Sequence, residues 1–145
     1  MFIHSLQYQW HNEFENHDGA TVISRLQLPY IITEGYVNLR CVWQLGCPAE
    51  LNLKSPKQEH PTEWVYANAL QELLPDVVAS GGLPDKIGVS CCAQFAISAS
   101  LVHEKPKREY ERLRKWIIDT SVDRIEAGLS GRVMEYSWHS MYTTR

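Results

Sequence analysis

Residues 90–98 read SCCAQFAIS, in which two adjacent cysteines precede an apolar run that is typical of a buried strand. We predict a strand over residues 91–97. Neighbouring side chains on a strand point to opposite faces, so Cys91 and Cys92 are not expected to bind one metal ion together. A disulfide between adjacent cysteines would close a strained ring, whereas an unpaired cysteine packs as a small hydrophobic residue. We therefore interpret this pair as buried thiols in the core and predict no metal site.

The sequence around this strand alternates between helical and β-rich segments. Helical spacing of apolar residues predicts helices over residues 19–28, 62–74, 106–120 and 131–142. Short β-rich segments predict strands over residues 2–6 and 36–43, and prolines and glycines predict loops over residues 45–61 and 75–88. Short strands separated by helices are typical of an α/β or α+β fold, in which a small mixed sheet is packed by helices.

The composition is that of an ordinary globular protein, since 44% of the 145 residues are hydrophobic and 21% are charged. We predict a single domain over residues 1–145. The formal net charge of −3 gives no indication of a nucleic-acid-binding surface. No apolar run approaches the roughly 18 residues that span a bilayer, no signal peptide is visible, and the sequence indicates no compartment.

Three polar side chains share one face of the predicted C-terminal helix. Arg132, Glu135 and His139 recur at helical intervals beside an apolar face that contains Trp138. A carboxylate one turn from an imidazole can act as a general base that the imidazole tunes. The structural alternative is an ion pair on a solvated helix face. We predict catalytic roles for Glu135 and His139 and a substrate-binding role for Arg132.

A second group of candidate residues lies in the first 40 residues. His4 and His11, with Trp10 between them, follow a predicted strand, and loops at strand ends commonly form ligand sites. Asn38 and Arg40 offer an amide and a guanidinium group that can bind an anion, although a surface ion pair is the alternative. We predict that these two histidines, the asparagine and the arginine bind substrate. No phosphate-binding loop or dinucleotide fingerprint is present, so no cofactor is indicated.

The other two cysteines leave two alternatives open. Cys41 and Cys47 are separated by a glycine-containing segment that can bring them within bridging distance. Sequence spacing alone does not determine disulfide geometry, so both a disulfide and two free thiols are compatible with it.

Four motifs together resemble a fungal family catalogued as domain of unknown function 3431. They are WHN at 10–12, GYVNLRCVWQLGCPAE at 35–50, CCAQFAIS at 91–98 and SGRVMEYSWHSMY at 130–142. The resemblance covers nearly the whole chain. Family members are longer at the N-terminus, so we expect this chain to be a shortened form that corresponds to the C-terminal two-thirds of the family's domain.

The layout of this family is similar to that of GT-A-type glycosyltransferases, which implies a nucleotide-sugar or another small molecule as ligand. Such enzymes carry an Asp-x-Asp metal motif after a strand, where this chain has His4 and Gln7 in the segment FIHSLQ. The leading hypothesis is a glycosyltransferase-like domain in which Glu135 is the general base and Arg40 binds an anionic group. The alternatives are a non-catalytic binding or structural protein, or an incomplete fragment without activity.

Overall fold

The computed structural model of the protein describes residues 1–12, 15–40, 47, 49–123 and 127–143. Seven α-helices and four short strands lie within these ranges. In chain order they are α1 Gly19–Ser24, α2 Leu28–Glu34, β1 Tyr36–Asn38, β2 Leu51–Asn52, α3 Pro61–Leu73, α4 Pro75–Gly81, β3 Lys86–Ile87, β4 Phe95–Ile97, α5 Ala99–Glu104, α6 Lys107–Asp123 and α7 Ala127–Thr143. The predicted combination of helices and strands in one fold is confirmed. Within the described ranges, no helix combines the length and hydrophobicity needed to cross a membrane.

The described strands form two small antiparallel sheets rather than one mixed sheet. β1 pairs with β4, with Tyr36 opposite Ile97, and β2 pairs with β3. The predicted strand at residues 2–6 is reduced to one bridge, in which the backbone of Phe2 exchanges two hydrogen bonds with Phe95. The N-terminal segment therefore extends the β1–β4 sheet by a single residue pair and places the following residues beside the start of β4.

The core lies where α3, α6 and α7 pack together. Tyr66 of α3 is fully buried, and its hydroxyl donates a hydrogen bond of 2.9 Å to the carbonyl oxygen of Tyr136 in α7. A buried hydroxyl without a partner would cost stability, so this bond fixes how the two helices meet. Leu70 and Val133 fill the space between the same helices. Because α7 is anchored here, the polar side chains on its other face have a defined position.

Prolines account for two of the differences from the predicted helices. Asp18 caps α1 as predicted, with its carboxylate accepting a hydrogen bond from the N–H of Ala20. Pro29 lies in the first turn of a second helix, α2, instead of following the end of one continuous helix. Pro75 likewise begins α4 within the segment that we predicted to be a loop. Proline lacks an N–H group and tolerates the first helical turn, so it can start a helix as well as end one.

The segment predicted to be a surface loop over residues 45–61 contains part of the core. Leu51 and Leu53 are buried, and Leu51 pairs with Ile87 in the smaller sheet. Residues 45, 46 and 48 of this segment lie outside the described residues, as do residues 41–43 of the predicted strand over 36–43. A two-residue strand carries no recognisable alternation of polar and apolar residues, which is why the sequence did not indicate it.

Candidate functional site

An unusual backbone conformation immediately precedes β4. Residues Cys91–Ala93 form a single 3₁₀ turn rather than the predicted strand, and Cys92 and Ala93 have φ angles of 85° and 48°. Positive φ is uncommon for residues other than glycine and often marks a functional site. The turn places both cysteine sulfurs on the same side of the chain, where they are joined as a disulfide. The strand predicted over residues 91–97 is therefore wrong for residues 91–93 and right for Phe95–Ile97. The prediction of two free thiols is wrong, although Cys92 is buried as expected.

A cleft of about 460 Å³ opens beside this turn. Its walls come from the N-terminal segment, the cysteine turn and the first half of α7. Four of the predicted site residues line it, namely His4, His11, Arg132 and Glu135. The other lining residues are Phe2, Ile3, Trp10, Glu50, Cys91, Cys92, Ala93, Gly131 and Tyr136. The structure thus combines two groups of candidates that are about 120 residues apart in the chain.

Glu135 connects α7 to the cysteine turn. Its carboxylate accepts a hydrogen bond from the backbone N–H of Cys92. The 3₁₀ turn leaves this N–H free to bond a side chain, and α7 is held close enough by its packing on α3 to reach it. The carboxylate group is therefore fixed at the wall of the cleft.

The two histidines of the cleft lie against each other, with ring centroids 4.4 Å apart. Nε2 of His4 is 2.9 Å from the carbonyl oxygen of Cys92, and Gln94 bonds to the backbone of both histidines. Burial lowers the pKa of His11, the neighbouring His4 and Arg40 lower it further, and Glu135 partly offsets them. His11 is therefore predominantly neutral at pH 7, and its buried Nδ1 has no hydrogen-bond partner among the residues that the structure describes.

Arg40 lies behind the cysteine turn and is not among the residues that line the cleft. One of its guanidinium nitrogens is 2.9 Å from Sγ of Cys91 and 3.0 Å from Sγ of Cys92. The guanidinium group also lies over the ring of Trp10, 5.3 Å from the ring centroid. The side chain is buried, and its positive charge is directed at the two sulfurs.

Two further candidates lie away from the cleft. The side-chain oxygen of Asn38 accepts a hydrogen bond of 3.2 Å from the Tyr36 hydroxyl on the same strand. His139 is partly buried, its Nε2 lies 3.2 Å from the Ser140 hydroxyl, and burial lowers its pKa. A step of four residues rotates the side chain by about 40° around the helix axis. Glu135 and His139 therefore share a stripe of α7, but only Glu135 lines the cleft.

The cysteine pair is the feature of this site that the sequence analysis misassigned. Both sulfurs and a carboxylate oxygen of Glu135 lie within 4.8 Å of one another, a spacing that suits metal ligands. The sulfurs are thiolate ligands only in a reduced protein, since a disulfide has no thiolate to offer. The adjacency of two cysteines is the available signal in the sequence, but the predicted strand would direct their side chains to opposite faces. Cys47 has no disulfide partner among the described residues, and Cys41 lies outside them.

Comparison with known proteins identifies a family to which the chain is similar. No curated protein and no solved structure matches the chain. A family model described as a protein of unknown function, DUF3431, matches residues 1–145. This range includes the N-terminal segment that supplies His4 and His11, the cysteine turn, and the helix that supplies Glu135. The similarity to GT-A-type transferases stays a prediction. The chain belongs to the DUF3431 family.

Proposed function

We propose that the cleft binds a small polar molecule and that Glu135 accepts a proton from a hydroxyl group of that ligand during a glycosyltransferase-like group transfer. The observation that carries this proposal is the position of the Glu135 carboxylate, fixed by the Cys92 N–H at the wall of a cleft. A carboxylate has about four acceptor sites on its two oxygens, so one hydrogen bond leaves others for a ligand. A general base must come within about 2.6–3.2 Å of the group that it deprotonates, which requires such a fixed position.

The surroundings of Glu135 suit a polar ligand with an anionic group. Arg132 lies one helical turn before Glu135 and lines the same cleft, and a guanidinium group binds phosphate or carboxylate through paired N–H donors. His11 supplies a neutral imidazole that can donate or accept a hydrogen bond. The cleft volume of about 460 Å³ falls in the common range for small-molecule sites. A nucleotide-sugar combines these features, since it carries both hydroxyl groups and a diphosphate.

Other predicted roles change with the geometry. His139 does not line the cleft, so His11 replaces it as the imidazole beside the base in this proposal. Arg132 replaces Arg40 as the cation that meets the anionic group, since Arg40 is directed at the sulfurs. The segment Phe2–Gln7 contains no aspartate or glutamate, so the proposal assigns no metal ion to the transfer.

A non-catalytic binding protein is the second candidate function, and one observation favours it. The Glu135 carboxylate already bonds a backbone N–H that belongs to the fold, as a purely structural carboxylate would. In this case the same cleft would bind its ligand without turning it over. Product release by the wild-type protein distinguishes the two functions, because a transferase releases a product and a binding protein does not.

The Glu135→Gln variant tests the catalytic role. Glutamine keeps the shape and still accepts from the Cys92 N–H, but it cannot take a proton. We expect release of nucleoside diphosphate from a panel of nucleotide-sugars to fall by at least about 100-fold, the usual contribution of a general base. Ligand affinity measured by calorimetry should change much less, and the free energy of unfolding should stay within about 1 kcal/mol of wild type.

Glu72→Gln is the matched control, because Glu72 is an exposed glutamate on α3, outside the cleft. It should leave turnover, ligand affinity and stability at wild-type values. Binding without turnover in the wild-type protein would assign the cleft to a non-catalytic function. A Glu135→Gln protein with unchanged turnover and a lowered melting temperature would show that the carboxylate is structural and would overturn the proposal.

A further inference from the structure

We propose that Cys91 and Cys92 form a redox-active pair that exchanges electrons with a low-molecular-weight thiol of the glutathione class entering the cleft. The proposal concerns the sulfurs and does not depend on the group-transfer function proposed for Glu135. Three observations carry it: the disulfide between the adjacent sulfurs, their unequal exposure, and the cation directed at both of them.

The two sulfurs differ in how a reagent can reach them. Cys91 is partly exposed and Cys92 is only 7% exposed, although both contribute to the wall of the cleft. Thiol–disulfide exchange requires access of the attacking thiolate to one sulfur along the bond. The geometry assigns Cys91 as the sulfur that is attacked and Cys92 as the sulfur that leaves.

Arg40 provides the charge that the leaving sulfur needs. A cation next to a cysteine stabilises its thiolate and lowers the thiol pKa, and a thiolate of lower pKa leaves faster. The guanidinium group is within 3.0 Å of both sulfurs and is held in place over the Trp10 ring.

The exchange proceeds in two balanced steps. A thiolate RS⁻ attacks Sγ of Cys91, the bond between the two cysteine sulfurs breaks, and its electron pair goes to Cys92, which becomes a thiolate beside Arg40. A second RS⁻ then attacks the sulfur of the bound RS group, which releases the disulfide RSSR and leaves Cys91 as a thiolate. Two thiols have been oxidised, and the protein disulfide has gained two electrons. The reverse sequence, starting from RSSR, restores the disulfide.

Trypsin separates the four cysteines of the full chain in a way that suits a direct test. Cleavage after Lys86 and Lys107 gives a peptide with Cys91 and Cys92 alone, and cleavage after Arg40 and Lys54 gives one with Cys41 and Cys47. The protein is equilibrated in glutathione buffers of increasing oxidised fraction, quenched in denaturant with a maleimide and digested. In the most reducing buffers we expect both cysteines of peptide 87–107 to carry the maleimide label. In the most oxidising buffers the peptide should be unlabelled and two hydrogens lighter than the reduced, unlabelled peptide. Neither extreme should give a stable glutathione adduct.

Two results would overturn the proposal. The first is a peptide 87–107 that stays doubly labelled in the most oxidising buffer or ends as a glutathione adduct or as a bridge to another cysteine. The second is protection of both reduced thiols from the maleimide by added Zn²⁺, reversed by a chelator, together with failure to form the disulfide. That outcome would assign the two sulfurs and Glu135 to a metal centre instead.

Substitution of Arg40 tests the role of the cation. At pH 7, Arg40→Gln should slow reoxidation of the reduced pair by oxidised glutathione by about threefold. One unit of thiol pKa lowers the thiolate fraction about tenfold, and the higher nucleophilicity of the more basic thiolate offsets part of that loss. Arg40→Lys keeps the charge and should recover part of the rate. Arg114→Gln, at an exposed arginine on α6, is the control and should react like wild type. An Arg40→Gln rate equal to that of the control would refute the role of Arg40.

A second variant covers the case in which Arg40→Gln does not fold. Cys91→Ser leaves Cys92, the leaving sulfur, alone with the arginine, and the pH dependence of its alkylation by iodoacetamide reports its pKa directly. We expect a midpoint well below about 8.5, the value of an unperturbed cysteine. A midpoint at that ordinary value would show that the guanidinium group does not activate the sulfur and would overturn the proposal.

Discussion

Replacing Phe95 by alanine should lower the free energy of unfolding by about 3–5 kcal/mol, the usual cost of removing a buried aromatic ring. Phe95 is the first residue of β4 and is 2% exposed. Its ring centroid lies 4.7 Å from that of Phe2, 5.1 Å from that of Tyr36 and 5.6 Å from that of Trp138. The ring thus joins the N-terminal segment, β1 and α7, and the substitution leaves a cavity where these elements meet.

Urea unfolding of Phe95→Ala and Phe2→Ala provides the measurement and its control. Both variants lose a phenyl ring, but the Phe2 side chain is 56% exposed. Phe2→Ala should therefore lower the free energy of unfolding by less than about half as much as Phe95→Ala. Phe2 also lines the cleft, so the Phe2→Ala variant is used to compare stability and not ligand binding. Equal losses of stability in the two variants would contradict the assignment of Phe95 to the core.

Replacing Glu63 by alanine should destabilise the protein by about 2–4 kcal/mol, because it leaves hydrogen-bond donors unpaired at the start of α3. The side chain is 2% exposed, and its carboxylate accepts hydrogen bonds of 3.0 Å from the N–H of Asn52 and 2.7 Å from that of Lys57. The His60 imidazole lies 3.6 Å away. The buried carboxylate of Glu63 thereby connects α3 with the chain segment that runs from β2 as far as residue 57. Glu72→Ala, exposed on the same helix, should change stability by less than about 0.5 kcal/mol.

The same carboxylate should make stability dependent on pH. Burial alone would raise the pKa of Glu63, but the N–H groups of Lys57 and Asn52 and the neighbouring His60 outweigh it and lower the pKa. A carboxyl group with a lowered pKa in the folded state contributes its full stability above the unfolded value of about 4.3. This contribution to stability is lost as the pH falls from the pKa of the unfolded state through the lower pKa of the folded state.

Thermal unfolding between pH 7 and pH 3 checks this expectation. Wild type should lose more stability than Glu63→Gln over that range, because glutamine does not titrate. Parallel curves for the two proteins would show that Glu63 is not held in its charged form by the fold.

The long helices could be predicted from the sequence because their signals are local. Apolar residues at helical spacing indicated α3 and α6, and the structure places them at Pro61–Leu73 and Lys107–Asp123. The amphipathic pattern of residues 131–142 likewise indicated α7, which begins a few residues earlier. The apolar run of β4 was recognised too, although only Phe95–Ile97 forms the strand.

The candidate site could be predicted in part. His4, His11, Arg132 and Glu135 were identified by residue type and spacing, and the structure places all four around one cleft. The prediction for His139 assumed that residues four apart on a helix face the same space, but His139 is not among the residues that line the cleft. Arg40 was expected to bind an anionic group of the substrate, which requires a side chain that a ligand can reach. Its side chain is buried instead.

The long helices, the apolar strand and the family could be predicted because each depends on residues within a few positions of one another or on the order of motifs along the chain. The conformation of the cysteine turn and the cleft beside it depend instead on contacts between distant parts of the chain. Cys92 lies 43 residues from Glu135 and 52 from Arg40 in the chain. Its positive φ is tolerated because those distant side chains bond its N–H and its sulfur. A local pattern of residues cannot encode contacts that form only when the chain has folded.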